Sequence, residues 1–77
     1  MMTLQEAKAV VKNPVSVWSP DNISDGIGDL ILCVHESGRY QVASAKTGRY
    51  APCPAYIRRK QAERYLKENH YHKVAER

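Results

Sequence analysis

The sequence predicts a small α+β domain, ordered α-β-β-(β)-α, in which an antiparallel meander packs against N- and C-terminal helices. Three observations support this class. A capping pattern opens an amphipathic segment near the N-terminus, glycine-containing turns separate apolar and alternating segments in the middle, and a helical period returns near the C-terminus. We expect the 77 residues to form one domain, and a domain of this size buries only about 60% of its unfolded surface.

The first predicted element is a helix over residues 4–12. Thr3 and Glu6 have the spacing of a capping box, in which Thr3 caps the first turn and Glu6 bonds back to it. Pro14 ends the helical period. The apolar residues at helical spacing are Leu4, Ala7, Val10 and Val11.

The segment after this helix predicts little regular structure. Residues 15–18 alternate and favour a short strand, in which Trp18 is a core anchor. Ser19 followed by Pro20 is typical of a cap and first helical position, which favours one helical turn. Residues 19–28 as a whole are rich in turn formers and predict a loop.

The meander is predicted from two strands separated by a glycine turn. Residues 29–35 form a nearly continuous apolar run, which is typical of a strand covered on both faces. Residues 39–45 alternate, so that Tyr40 and Val42 share a face. Gly38 supplies the positive φ that the turn requires.

A third strand is predicted over residues 49–51, after a second glycine turn. Pro52 and Pro54 cannot donate ladder hydrogen bonds, so this strand belongs at the edge of the sheet.

The last predicted element is a helix over residues 59–70, which frays beyond His70. At 100° per residue, one side of this helix is the packed face, and the opposite side is basic. The packed face consists of Ala62, Tyr65, Leu66 and Asn69, and the opposite face of Lys60, Arg64, Lys67 and Tyr71. Glu63 and Lys67 have the i,i+4 spacing of a helical ion pair.

Basic residues are concentrated in the second half of the chain. Residues 1–38 contain two lysines and five acidic residues, whereas residues 39–77 contain ten basic and three acidic residues. Between Arg39 and Lys60 there are six basic residues, three interleaved tyrosines and no acidic residue. This asymmetry of charge has two interpretations. The basic half presents a surface for an anionic partner, or the acidic half folds against the basic half and offsets its charge.

The tripeptide Gly-Arg-Tyr occurs twice in this segment, at residues 38–40 and 48–50. Each glycine is assigned to a turn, and each tyrosine is predicted to face the core. A seven-residue strand spans about 20 Å, so Arg39 and Arg49 should lie at opposite ends of the meander. The repeat therefore predicts sheet architecture and not two halves of one site.

Neither catalysis nor a cofactor is expected. The sequence has no phosphate-cradling glycine pattern, and Cys53, expected to be exposed with its pKa lowered by nearby arginines, has no identifiable partner base. Thiolate and imidazole are suitable zinc ligands, but their spacing here does not match a zinc site, so no metal is expected. The residues considered were Cys33, His35, Cys53, His70 and His72.

A cytoplasmic, non-membrane protein is expected. No apolar stretch reaches the ~18 residues of a membrane span, and the first residues lack the pattern of a secretory signal. Two cysteines without such a signal favour reduced thiols, although a single disulfide remains an alternative. A homodimer would extend so small a core.

The sequence therefore favours a non-catalytic binding protein, and two hypotheses stay open. In the first, a nucleic-acid-binding or regulatory module contacts phosphates through its basic patch. In the second, an inhibitor or adaptor, of the accessory type found in phages and mobile elements, uses the same surface against an acidic protein. The predicted binding residues are Arg49, Arg58, Arg59, Lys60, Arg64, Lys67 and Tyr71.

Overall fold

An antiparallel sheet lies between two helices, which confirms the predicted α+β class. The computed structural model describes residues 2–22 and 28–77. Within them the strands follow the order β3-β2-β1-β4 across the sheet. The elements are α1 (Leu4–Lys8), β1 (Pro14–Pro20), β2 (Leu30–Val34), β3 (Tyr40–Ser44), α2 (Arg59–Glu68) and β4 (Tyr71–Glu76).

The two helices cover opposite faces of the sheet. Adjacent residues of β1, Val17 and Trp18, are both fully buried and belong to different core clusters, since successive strand residues point to opposite faces. Trp18 packs with Leu66 of α2, whereas Val17 packs with Ala7 of α1. Trp18 is thus the core anchor that the sequence predicts.

The first helix is shorter than predicted. The Thr3–Glu6 capping box is present, but α1 ends at Lys8 and not at residue 12. Val10 donates its N–H to the carbonyl of Ala7, three residues back, which tightens the last turn. Valines at positions 10 and 11 still contribute to the apolar cluster beneath α1, but from a turn.

The predicted helical turn at Ser19-Pro20-Asp21 is wrong, because β1 continues through Pro20. Its last residues pair with β4, in the register Ser19 with His72 and Pro20 with Tyr71. That partner strand was not predicted. Of the predicted loop 19–28, residues 23–27 lie outside the described part of the chain.

The β2–β3 hairpin agrees with the sequence to within one residue at each end. Gly38 has φ 87° in the turn, as its position requires. The predicted strand 49–51 is instead an isolated bridge between Tyr50 and Ala43, followed by a second bridge between Tyr56 and Tyr40. This segment runs along the outer edge of β3, which agrees with the prediction that its prolines belong at an edge.

The C-terminal helix ends at Glu68, and the chain then reverses to form β4. Asn69 and His70 make the reversal, with His70 at φ 63°. Asn and His tolerate this left-handed conformation better than most residues. The predicted helix over 59–70 is therefore correct at its start and two residues too long at its end.

Candidate functional site

Three basic side chains share the outward face of α2. Lys60, Arg64 and Lys67 are separated by four and three residues, which places them on one side of the helix, and all three are exposed. The inward side holds Ala62 and Leu66, both fully buried. We call Lys60, Arg64 and Lys67 the α2 row; it extends over about 10 Å of helix axis at 1.5 Å per residue.

Arg58 lies just before the row and is also exposed. Its backbone N–H donates to Oε1 of Gln61 at 3.1 Å, which fixes the start of α2. A guanidinium group has no acceptor and cannot cap a helix. The Arg58 side chain is exposed and makes no capping hydrogen bond.

The Arg59 side chain, by contrast, forms ion pairs with two carboxylates of the protein. Its Nε lies 3.3 Å from Oε2 of Glu63, and its Nη2 lies 3.0 Å from Oε2 of Glu76 on β4. Lys73 of β4 pairs with the same two carboxylates. Arg59, Glu63, Lys73 and Glu76 thus form a closed network of alternating charge, which we call the ion-pair ring.

The ion-pair ring ties α2 to the edge strand β4. Glu63 is its least exposed member, with a side chain 18% exposed, and Lys73 Nζ lies 5.7 Å from the centre of the buried Trp18 ring. Hydrogen bonding to Lys73 lowers the pKa of Glu76, and the same contact raises the pKa of Lys73. Both shifts favour the charged forms.

Two acidic residues, Glu63 and Glu68, lie on the same surface as the α2 row. Glu63 pairs with Arg59 and Lys73, and not with Lys67 as the sequence predicts. Glu68 also lies beside the row, 4.0 Å from Arg64, and both of these side chains are exposed. Within residues 2–22 and 28–77, Lys60 and Lys67 form no ion pair.

Tyr71 does not belong to this surface. The prediction placed it on the basic helix face, but it begins β4 and is only 9% exposed. Its ring packs in the cluster that contains Trp18 and Leu66. The correction follows from the unpredicted reversal at Asn69 and His70.

Arg49 is also separate from the α2 row. Its carbonyl accepts a hydrogen bond from Ser44 at one end of β3, whereas Tyr56, two residues before Arg58, pairs with Tyr40 at the other end. The length of β3 separates these ends by about 13 Å. Of the seven predicted binding residues, Lys60, Arg64 and Lys67 share one helix face, and Arg58 is exposed immediately before the first turn.

The tyrosines nearest the row, Tyr56 and Tyr65, are half-buried and line a groove of about 350 Å³ together with Arg64. The rings of Tyr56 and Tyr65 contact each other at 6.0 Å between centres and pack against the core. Burial raises the pKa of both phenols. Burial likewise raises the pKa of the half-buried Cys53 thiol, contrary to the prediction of an exposed, activated cysteine.

Tyr50 faces the opposite side of the sheet. It is 52% exposed, which corrects the prediction that it faces the core. Its ring meets that of His35 edge-on, with 6.0 Å between centres. Together with Val10, Val11 and Lys12, these rings line a groove of about 330 Å³ on the α1 side.

The sequence could predict the α2 row but not the ion-pair ring. Lys60, Arg64 and Lys67 emerge from helical periodicity alone. The Arg59–Glu63 spacing is readable as an i,i+4 pair, yet the ring closes only through Lys73 and Glu76. Both of these residues lie on β4, a strand that the sequence does not predict.

In the ranges 2–22 and 28–77, no helix has the length and apolar character needed to cross a membrane. Across those same residues, no three His, Cys, Asp or Glu side chains cluster in a way that could hold a metal ion.

Comparison with known protein families, with curated proteins and with solved structures finds no match to this chain.

Proposed function

We propose that this protein is a non-catalytic binding module that contacts the phosphate backbone of nucleic acid through α2. The supporting observation is the α2 row: three exposed cations share a helix face, while Glu63 of the same helix pairs with Arg59 and Lys73. Exposed Lys and Arg side chains are common partners of nucleic-acid phosphates. Arg58 extends the same field beyond the helix start.

The proposal includes a regulatory role in the cytoplasm. Reducing conditions there keep Cys33 and Cys53 as thiols, which agrees with their unpaired state. Because such a module contacts phosphates and not bases, its regulatory effect would come from covering the nucleic acid to which it binds.

The test is a titration of labelled DNA and RNA with the protein at several salt concentrations. Three or four phosphate contacts predict that log K falls with log salt at a slope of about −3. No binding of any nucleic acid by micromolar protein at about 50 mM salt would refute the proposal.

A matched pair of variants separates the α2 row from general basicity. Lys60→Glu combined with Lys67→Glu should abolish measurable binding, because both substitutions lie in the row. Lys8→Glu combined with Lys12→Glu changes the net charge equally but lies on the α1 side, so binding should remain. Equal losses in both variants would contradict a localised site.

A second candidate, a protein-binding inhibitor or adaptor, is favoured by Ile57. This side chain is 66% exposed and lies directly before Arg58, so an apolar contact adjoins the basic surface. An acidic protein with an apolar pocket would fit both features. If nucleic acid does not bind, Ile57→Ser should weaken capture of such a partner, whereas Tyr50→Ser, on the other side, should not.

A further inference from the structure

We propose that the edge strand β4 pairs with β4 of a second copy of this chain, so that two antiparallel sheets join into one. The inference goes beyond the proposed function and does not depend on it, because it rests on the sheet and not on the α2 row. The starting point is a difference between the two edges of the sheet, which are formed by β3 and β4.

The edge at β3 is covered, whereas the edge at β4 is open. Tyr56 exchanges two backbone hydrogen bonds with Tyr40, and Ala51 donates its N–H to the carbonyl of Val42, so the segment after β3 protects its outer side. Among the residues that the structure describes, β4 pairs with β1 on one side and no segment pairs with the other. An uncovered edge presents backbone groups on which another strand can pair.

A bulge in β4 determines which residues share a face. The register with β1 passes from Lys73 to Ala75, so Val74 is an extra residue. Val74 and Ala75 both pack in the apolar cluster on the α1 side of the sheet. Lys73 and Glu76 lie on the α2 side, in the ion-pair ring.

This distribution selects one register for two copies of β4. Directly opposed residues of an antiparallel pair lie on the same face. The condition is met when Lys73 lies opposite Glu76 of the second copy and Val74 lies opposite its Ala75. A shift by one residue in either direction would set a charged residue of the α2 side against an apolar residue of the α1 side. The matching register places opposite charges at both ends of the pair and small apolar side chains at its centre.

The expected dimer is weak. The strand has six residues, the bulge interrupts the ladder, and the same register sets His72 against Arg77, which adds no attraction. Small interfaces of this kind belong to transient complexes. We therefore expect a dissociation constant in the micromolar to millimolar range.

Pairing through β4 places both α2 helices on one face of the joined sheet. The two-fold axis of the antiparallel strand pair is perpendicular to the sheet, so each copy keeps its α2 on the same side. The two α2 rows then face the same direction.

Sedimentation equilibrium without nucleic acid tests the proposal. The average mass should rise from that of one chain toward that of two as the concentration of wild-type protein increases. Val74→Lys should raise the dissociation constant at least about tenfold, because the two introduced charges meet beside the two-fold axis. Val11→Lys is the matched control: Val11 packs in the same cluster but lines the Tyr50 groove, so dimerisation should not change.

A mixture of two variants separates lost pairing from lost stability. Val74→Lys and Val74→Glu should each associate weakly alone, and an equal mixture should associate at least about tenfold more tightly than either. A wild-type protein that stays monomeric up to about 1 mM, or a mixture that gains nothing, would overturn the proposal. Because no nucleic acid is present, either result leaves the proposed phosphate contact untouched.

Discussion

Glu63 links the stability of α2 to its surface charge. Its carboxylate lies between Arg59 and Lys73, and its side chain is mostly buried. A carboxylate in this position holds two cations that would otherwise repel each other. The same pairing offsets its charge with two cations that lie outside the α2 row.

Glu63→Gln should therefore destabilise the fold, by about 1–2 kcal/mol, since two cations lose a charged partner in a partly buried setting. Glu68→Gln is the matched control. Its carboxylate is exposed and lies 4.0 Å from Arg64, so the change should stay within about 0.5 kcal/mol. Urea unfolding of the two variants measures the difference, and equal effects would contradict a special role for Glu63.

The Lys73–Glu76 contact predicts a defined pH dependence. The pKa of Glu76 is lowered below its ordinary 4.5, so its stabilisation is complete above that value and is lost as pH falls through the lowered pKa. The pKa of Lys73 is raised above 10.5, so its stabilisation is complete below that value and is lost as pH rises through the raised pKa. The contact is thus at full strength at neutral pH.

The free energy of unfolding, measured across pH for the wild type and for Glu76→Gln, tests this directly. The difference between the two proteins should be largest near neutral pH and should shrink in acid and in strong alkali. Comparing the two proteins removes the contribution of Glu6, whose pKa is also lowered, by its bond to Thr3. A difference that stays constant from neutral to acid pH would show that the Glu76 charge is not involved.

At the scale of elements, β4 is the strand that the sequence does not predict, whereas the elements before it follow from local patterns. The β2–β3 hairpin and the packed face of α2 follow from local patterns, because Gly38 marks the turn and Ala62 and Leu66 repeat at helical spacing. Residues 71–76, which form β4, do not alternate between apolar and polar side chains, so they have no local pattern that predicts a strand. The existence of β4 depends on pairing with β1, which is distant in sequence.

Two errors in the candidate site have this same origin. Projecting the helical period onto Tyr71, one residue beyond the predicted helix over 59–70, placed that residue on the basic face. Omitting β4 left Arg59 without its partner Glu76. Residues whose surroundings are formed by α2 alone, such as Lys60 and Arg64, were placed correctly. Local periodicity therefore predicts which side a residue takes on its own element, but not which distant element meets it.

Removal of residues 71–77 tests the importance of β4. Because the truncation deletes Tyr71 from the core, two members of the ion-pair ring and the pairing partner of β1, the shortened chain should fail to fold. Circular dichroism and thermal unfolding measure the result. Removing Arg77 alone, which deletes one backbone bond to Val15, should cost about 1 kcal/mol. A folded truncated chain would mean that this segment is peripheral.

At the scale of the whole molecule, the formal charge of +4 is small, and its distribution matters more than its sum. Glu68 and Glu36 are both exposed acidic residues, but Glu68 adjoins the α2 row and Glu36 follows β2 near the Tyr50 groove. Lysine at either position raises the net charge equally. Only one of these substitutions changes the field at the row.

Glu68→Lys should strengthen nucleic-acid binding and steepen the salt slope by about 0.9, which corresponds to one further phosphate contact. Glu36→Lys should change the affinity by less than about twofold at about 0.15 M salt, because the Debye length is then near 8 Å and screens its distant charge. Anisotropy titrations of both variants against one duplex give the comparison. Equal gains in affinity would show that total charge governs binding, and the α2 row would lose its status as the site. An increase confined to Glu68→Lys would tie binding to the helix face that carries the α2 row, where Glu63 is already paired with Arg59 and Lys73.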